Sequence, residues 1–232
     1  MVEQVAIILK EGHKLYIPSP HLSRTKQEGV FPMPHEPKNF DHLLGKLKGL
    51  SESQLKQHFT LYQGYVKKLN EIEEKLAKID KSGANYSFNE YSELKRREAV
   101  AFNGSYLHEL YFENLSGDGG EPSPVLRKAC ETAFGSWENM IADLKAAGSS
   151  TPGWVLLTLN EVDGKLHTYI LYEHHIGLPV RQRIILAMDC WEHAFMIDYG
   201  IKKADYLNAF VNNVDWKIVN RRFEVGPEAR IR

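Results

Sequence analysis

The chain has 232 residues, 43% of them hydrophobic, enough to bury one large core or two smaller ones that share an interface. Lysine and arginine together number 29 against 30 aspartates and glutamates, a balance that excludes a generally basic surface for nucleic acid or an anionic membrane and an acidic tail. Cys130 and Cys190 have no paired spacing and read as free thiols. With no signal-peptide pattern and no run near the roughly 20 apolar residues of a membrane helix, the expectation is a soluble, cytoplasmic protein.

Residues 1–38 include Pro18, Pro20, Pro34 and Pro37, which break any periodicity. They are expected to form an irregular extension that wraps on another element or stays mobile. From Ser51 the pattern changes: Leu55, His58, Phe59, Tyr62, Tyr65, Val66, Leu69, Ile72 and Leu76 recur at three- and four-residue steps. That spacing predicts a long amphipathic helix with His58 on its apolar face. After a turn near Lys81–Asn85, a second helix places Ala101, Gly104, His108, Tyr111, Phe112 and Leu115 on one face. The short connection predicts an antiparallel helical hairpin over residues 39–120.

The stretch SGDGGEPSP, ending near Pro124, marks the clearest boundary, so residues 121–232 are read as a second domain. VLRKACETAF and SWENMIADLKAA predict two shorter helices around Gly135. GWVLLTLNEV, DGKLHTYILYE and RQRIILAMD are rich in branched and aromatic residues, and an Asp163–Gly164 turn joins the first two. They predict a three-stranded antiparallel sheet, giving an α+β fold overall. The tail carries three short helical patterns, opened by MDCWEHAF, ADYLNAFVNNV and DWKIVNRRF.

MDCWEHAF sets Asp189 and His193 in an apolar neighbourhood. Asp189 with Glu192 three residues later has the pattern of a capping box. A single histidine on an apolar helix face, such as His58 or His108, is more often a hydrogen-bonded core residue than a ligand. The case for a site rests on accumulation. Three separate elements each bring one imidazole, His58, His108 and His193, to an expected buried face, and the last has a carboxylate four residues upstream. Three nitrogens and one oxygen, without thiolate, suit a first-row metal such as iron, manganese or zinc. A hydrolytic zinc enzyme is the weaker reading, because no general base is evident beside these residues.

The run D-x-W-E-H-A-F at Asp189, Trp191, Glu192, His193, Ala194 and Phe195 resembles the signature of the iron/manganese superoxide dismutases. The resemblance extends through IDYGIKKADYLNAFVNNVDWKIVNRRF, FGSW, GWVLL and AFNGSYLHELYFENL, covering about residues 40–225. It implies a helical hairpin followed by an α/β domain with a three-stranded antiparallel sheet, and a metal between them held by His58, His108, Asp189 and His193. The implied reaction disproportionates superoxide to dioxygen and hydrogen peroxide, an antioxidant activity, with one iron or manganese ion per subunit. One carboxylate beside three neutral imidazoles lets such an ion change oxidation state at constant net charge when a bound hydroxide gains a proton. By the same resemblance Trp154 and Trp191 line the site, and Glu192 reaches across a two-fold axis to the ligand histidine of a second subunit. That implies a homodimer, which two-fold pairing could extend to a tetramer.

Four positions depart from the family pattern. The tyrosine eight residues after the first ligand is absent, and Tyr65 stands seven residues after His58, so a helical bulge found in relatives is expected to be missing. A paired funnel histidine and tyrosine are replaced by Tyr62 and Met196. Gly104 stands where some members carry a glutamine that bonds the metal's solvent ligand, and YEHHIGLP resembles the version that uses a loop histidine. His174 is then the candidate, with His175 as fallback, and the Gly104 with His174 pattern points toward iron. Tyr65 and His174 are the expected catalytic residues. The alternative is a non-catalytic, metal-binding dimeric member of the fold with a rebuilt funnel.

Overall fold

Two long helices carry the first two candidate histidines. Helix α1, Glu52–Lys78, begins where the Ser51 hydroxyl accepts from the Gln54 N–H, and buries a stripe that includes Leu55, His58, Phe59, Tyr62, Val66, Leu69 and Ile72. It is uninterrupted α-helix through Tyr62–Val66, with no bulge. Helix α2, Glu90–Glu113, is capped by the Asn89 side chain, which accepts from the N–H groups of Tyr91 and Ser92. Ile72 packs with Ala101, while Tyr62 meets Glu109, so the two helices run antiparallel. The structure, a computed structural model, describes residues 34–225. The expectation for the extension at residues 1–33 lies outside the described residues.

The glycine-rich stretch after α2 is held against the C-terminal helices: the Ser116 N–H donates to the Asn213 carbonyl and the Trp216 N–H to the Gly119 carbonyl. Helices α3, Pro124–Phe134, and α4, Trp137–Ser150, are capped by Ser123 and Ser136. Gly135 between them has φ +87°, which a glycine adopts without strain. Strands β1, Trp154–Asn160, β2, Leu166–Leu171, and β3, Gln182–Asp189, form the antiparallel sheet, with β1 in the middle. Both faces of β1 are covered at its start, which explains the unbroken apolar run: Trp154, Val155, Leu156 and Leu157 are all fully buried. A register shift between Leu157 and Thr158 leaves Trp154 opposite both Leu171 and Asp189.

After β3 the MDCWEHAF run is not one continuous helix. It closes as a 3-10 turn, Glu192–Ala194, and a single turn of helix, α5, Met196–Tyr199. Helices α6, Lys203–Asn212, and α7, Trp216–Val225, complete the fold. Helix α2 packs on β3, and α1 on the 3-10 turn, so the hairpin and the sheet edge meet where the four candidate residues lie. No helix among the described residues is long and apolar enough to cross a membrane.

Candidate metal centre

His58 and His108 come from the facing helices, Asp189 from the last position of β3 and His193 from the 3-10 turn. Four atoms, one per residue, lie within 4.8 Å of one another. Asp189 Oδ2 is 3.1 Å from His58 Nε2, 3.1 Å from His193 Nε2 and 3.4 Å from His108 Nε2. His108 Nε2 is 3.4 Å from His193 Nε2. Bonds of about 2.0–2.1 Å to a shared first-row ion put neighbouring donor atoms about 3.0–3.5 Å apart, so the spacing fits.

The proton inventory also calls for a cation. His108 Nδ1 bonds the Gly104 carbonyl, which can only accept, so Nδ1 carries the proton and Nε2 presents a lone pair to Asp189 and His193. Acceptors that face one another at this distance in a buried site repel unless a positive charge lies between them. Burial holds His108 well below the usual imidazole value, helped by the nearby His58, and burial likewise lowers His58. Burial alone would raise the Asp189 carboxyl, but His193 and His58 outweigh it and hold it well below the usual carboxylate range. The site is therefore one anion with His58 and His108 held toward the neutral form, while Asp189 raises His193, so a positive charge beside the carboxylate is favoured; three imidazoles and one carboxylate are the donor chemistry of an iron or manganese centre.

The two readings of Asp189 are both present, on different atoms. Oδ1 accepts from the Trp191 N–H at 2.9 Å, a local turn of the capping kind, while Oδ2 faces the histidines. Glu192 takes no part in a capping box: its side chain is exposed and makes no hydrogen bond or ion pair among the described residues. The Asp189 carbonyl is held from behind by the Tyr206 hydroxyl at 2.5 Å.

Tyr65, His174 and Trp154 form a chain beside these donors. The Trp154 indole N–H donates to His174 Nδ1 at 2.9 Å, and His174 Nε2 is 2.7 Å from Tyr65 Oη. An indole can only donate, so His174 carries its proton on Nε2 and gives it to the Tyr65 oxygen, which leaves the Tyr65 O–H available to another acceptor. Burial lowers His174 and raises Tyr65, which keeps the imidazole neutral and the phenol protonated at neutral pH. The Tyr65 ring stacks on His108 with centroids 5.5 Å apart, and Trp154 meets His108 edge-on at 5.0 Å. Trp191 stacks against His193, centroids 6.4 Å apart. His175, the fallback, is exposed.

Gly104 has a packing reason. A Cβ there would run into the Tyr65 ring, so the glycine makes room for the tyrosine that lies seven, not eight, residues after His58. In Gly104→Ala, overpacking of about 1–3 kcal/mol is offset in part by about 1 kcal/mol of helix propensity. The expected result is a small fall in melting temperature with a fall in turnover matching that of Tyr65→Phe, because the ring is pushed off His174. Parallel melting and activity measurements on both variants check this.

Tyr62, which stands where relatives carry a funnel histidine, lies in the core. Its side chain is 0% exposed and sits among Phe40, Phe59 and Phe112, its hydroxyl donating to Glu109. A straight α-helix points the fourth residue after His58 along the same buried stripe. Met196, at the other funnel position, is 42% exposed and lines a concavity of about 680 Å³ with Tyr65, Glu192, His193 and Leu61. Sequence reasoning also missed Gln54. This fully buried amide donates to the His193 carbonyl and accepts from the Ile197 N–H, clamping the 3-10 turn to α1. Its signal was a polar residue one turn before His58 on an apolar stripe.

Residues 122–222 match the C-terminal domain of iron/manganese superoxide dismutases. The chain is 40% identical over 200 residues to an iron superoxide dismutase of Aquifex pyrophilus, covering 84% of this chain and 93% of that protein. It is 41% identical over 187 residues to an iron superoxide dismutase of Cupriavidus metallidurans, with 77% and 90% covered. A manganese superoxide dismutase of Haloferax volcanii is 33% identical over 172 residues, with 74% and 85% covered.

Proposed function

The chain belongs to the iron/manganese superoxide dismutases, and on that premise we propose that His58, His108, Asp189 and His193 hold one iron ion per subunit of a homodimer. It is an oxidoreductase that disproportionates superoxide to dioxygen and hydrogen peroxide at an iron or manganese ion. The carrying observation is the meeting of four donor atoms, one a fixed imidazole lone pair, around a buried carboxylate. When bound, the ion supplies the redox change that takes one electron from a superoxide and gives one to the next.

The chain's own residues hold and move the protons. Peroxide needs two protons for each pair of superoxides consumed, and Tyr65 is the protonated group between the donor cluster and the open concavity. His174 orients the phenol by donating to its oxygen, and Trp154 fixes the His174 tautomer. Trp154 and Trp191 restrict water beside the donors and thereby tune their environment. The altered funnel positions are thus compatible with catalysis, because Tyr65 lines the concavity beside His193 while Tyr62 lies in the core. Tyr65→Phe is expected to lower kcat on the order of tenfold, below the roughly 10²–10⁴-fold usual for acid–base catalysis because the open concavity admits water as a substitute proton source. Stopped-flow superoxide decay, comparing kcat with kcat/KM, checks it.

Iron is favoured by the iron-named relatives at about 40% identity and by Gly104 with His174. A homodimer is supported by the exposed, unengaged Glu192 next to His193, whose side chain is 28% exposed, and by the half-exposed Met196 and Ile197 beside them. Buried free Cys130 and Cys190 suit the reducing cytoplasm. We likewise divide the chain near residue 120 into hairpin and α/β domains. Metal analysis of natively expressed protein, with superoxide assays of iron- and manganese-reconstituted samples, tests the reading: full occupancy without activity defeats it. Glu192→Ala is expected to shift the protein toward monomer in sedimentation velocity, and an unchanged dimer would remove Glu192 as the bridge.

A further inference from the structure

The residues just before the hairpin are tied into both ligand-bearing helices. The Lys38 backbone N–H donates to Tyr62 Oη at 2.9 Å, and the Tyr62 hydroxyl donates to Glu109 Oε1 at 2.8 Å. Lys38 Nζ reaches Glu109 Oε2 at 2.8 Å, which closes a ring of three residues, and also donates to Glu113 Oε1 at 2.7 Å. Glu113 is held in turn by Arg222 of α7 at 2.9 Å, and Arg222 extends to the Ile185 carbonyl in β3. Tyr62 lies one helical turn after His58, and Glu109 is the neighbour of His108.

Glu109 is only 7% exposed. A carboxylate at that depth is stable only while its partners are in place, so the ring has one arrangement rather than several. Its polar groups bond one another rather than the four metal donors, although the Tyr62 ring packs against His108 with centroids 6.4 Å apart, and nothing in the proton path above uses it. We propose that Lys38 is a positioning residue for the metal: by closing the ring with Tyr62 and Glu109 it fixes how α1 crosses α2, and so how His58 stands against His108. The inference rests on the reading that these histidines hold the metal.

The test uses full-length, manganese-loaded protein and three variants, Lys38→Met, Lys38→Arg and Tyr62→Phe. Two quantities are read well below each melting temperature: the rate of manganese release to excess chelator and the visible absorption of the trivalent form. Lys38→Met and Tyr62→Phe are expected to release metal about 10-fold faster, the low end of what loss of ligand-orienting groups does, because the crossing of α1 and α2 is no longer fixed, with a shifted absorption band. Lys38→Arg, which can bridge the same carboxylates, restores both. Release and absorption that match the wild type in Lys38→Met and Tyr62→Phe, with only the melting temperature lowered, overturn the proposal. Tyr62→Phe removes a single hydroxyl and keeps the ring packing, so a folded variant is available even if Lys38→Met does not fold. Retention by the wild type reports on the four-residue site itself, and only the difference between wild type and variants reports on Lys38.

Discussion

His108→Ala is expected to leave the purified protein without stoichiometric metal and without measurable superoxide consumption after reconstitution with either iron or manganese. Among the three ligand imidazoles, His108 is the one whose tautomer a backbone group dictates, because the Gly104 carbonyl accepts from its Nδ1 and aims the Nε2 lone pair at Asp189 and His193. Removing it deletes a donor rather than an outer partner, so the loss of affinity should exceed the 10–100-fold typical of outer partners. The cavity left behind is bordered by Tyr65, Trp154 and Phe112, whose rings cannot replace a nitrogen. Elemental analysis and melting curves separate the outcomes: a merely structural histidine would lower stability and leave metal content unchanged.

The second large effect is expected from Asp189→Asn. The asparagine carbonyl can keep the bond from the Trp191 N–H, and the backbone carbonyl held by Tyr206 is untouched. The metal-free protein should therefore fold and melt within a few degrees of wild type, since about 1 kcal/mol moves a chain of this size only about 2–4 °C. Without the anionic Oδ2, however, three neutral imidazoles must hold a di- or trivalent ion alone in a buried site, and metal retention and activity should both be lost. The variant thus separates the two tasks of one carboxylate. Retained metal with wild-type activity would assign Asp189 to the turn alone, whereas a collapsed apo-protein would show the charge itself to be structural.

Much of this molecule can be read along the chain. The three- and four-residue steps from Leu55 to Leu76 announce α1, the apolar runs at Trp154, Leu166 and Gln182 announce the sheet, and D-x-W-E-H-A-F points to the metal chemistry. Such signals are local, because helix and strand periods impose which side chains share a face. Counting also placed Tyr65 one residue short of the family spacing, which is a property of the chain alone.

Other features depended on which surfaces meet. Tyr62 replaces a funnel histidine in the family spacing, and only the straight α1 shows that it turns into the core, where Lys38 and Glu109 hold its hydroxyl. Gly104 looked like a lost glutamine, but it is the clearance for the Tyr65 ring. The Asp189 oxygens divide between a turn and the imidazoles only because β3 ends against α1 and α2. Gln54 and Lys38 carry no motif, and Glu109, though inside AFNGSYLHELYFENL, has no role that the motif spells out. Spacing along one chain specifies the face a side chain occupies, but the direction and partner of a hydrogen bond depend on the opposing element. Residue types and periods are therefore legible in the sequence, whereas tautomers, clearances and shared partners are decided by packing.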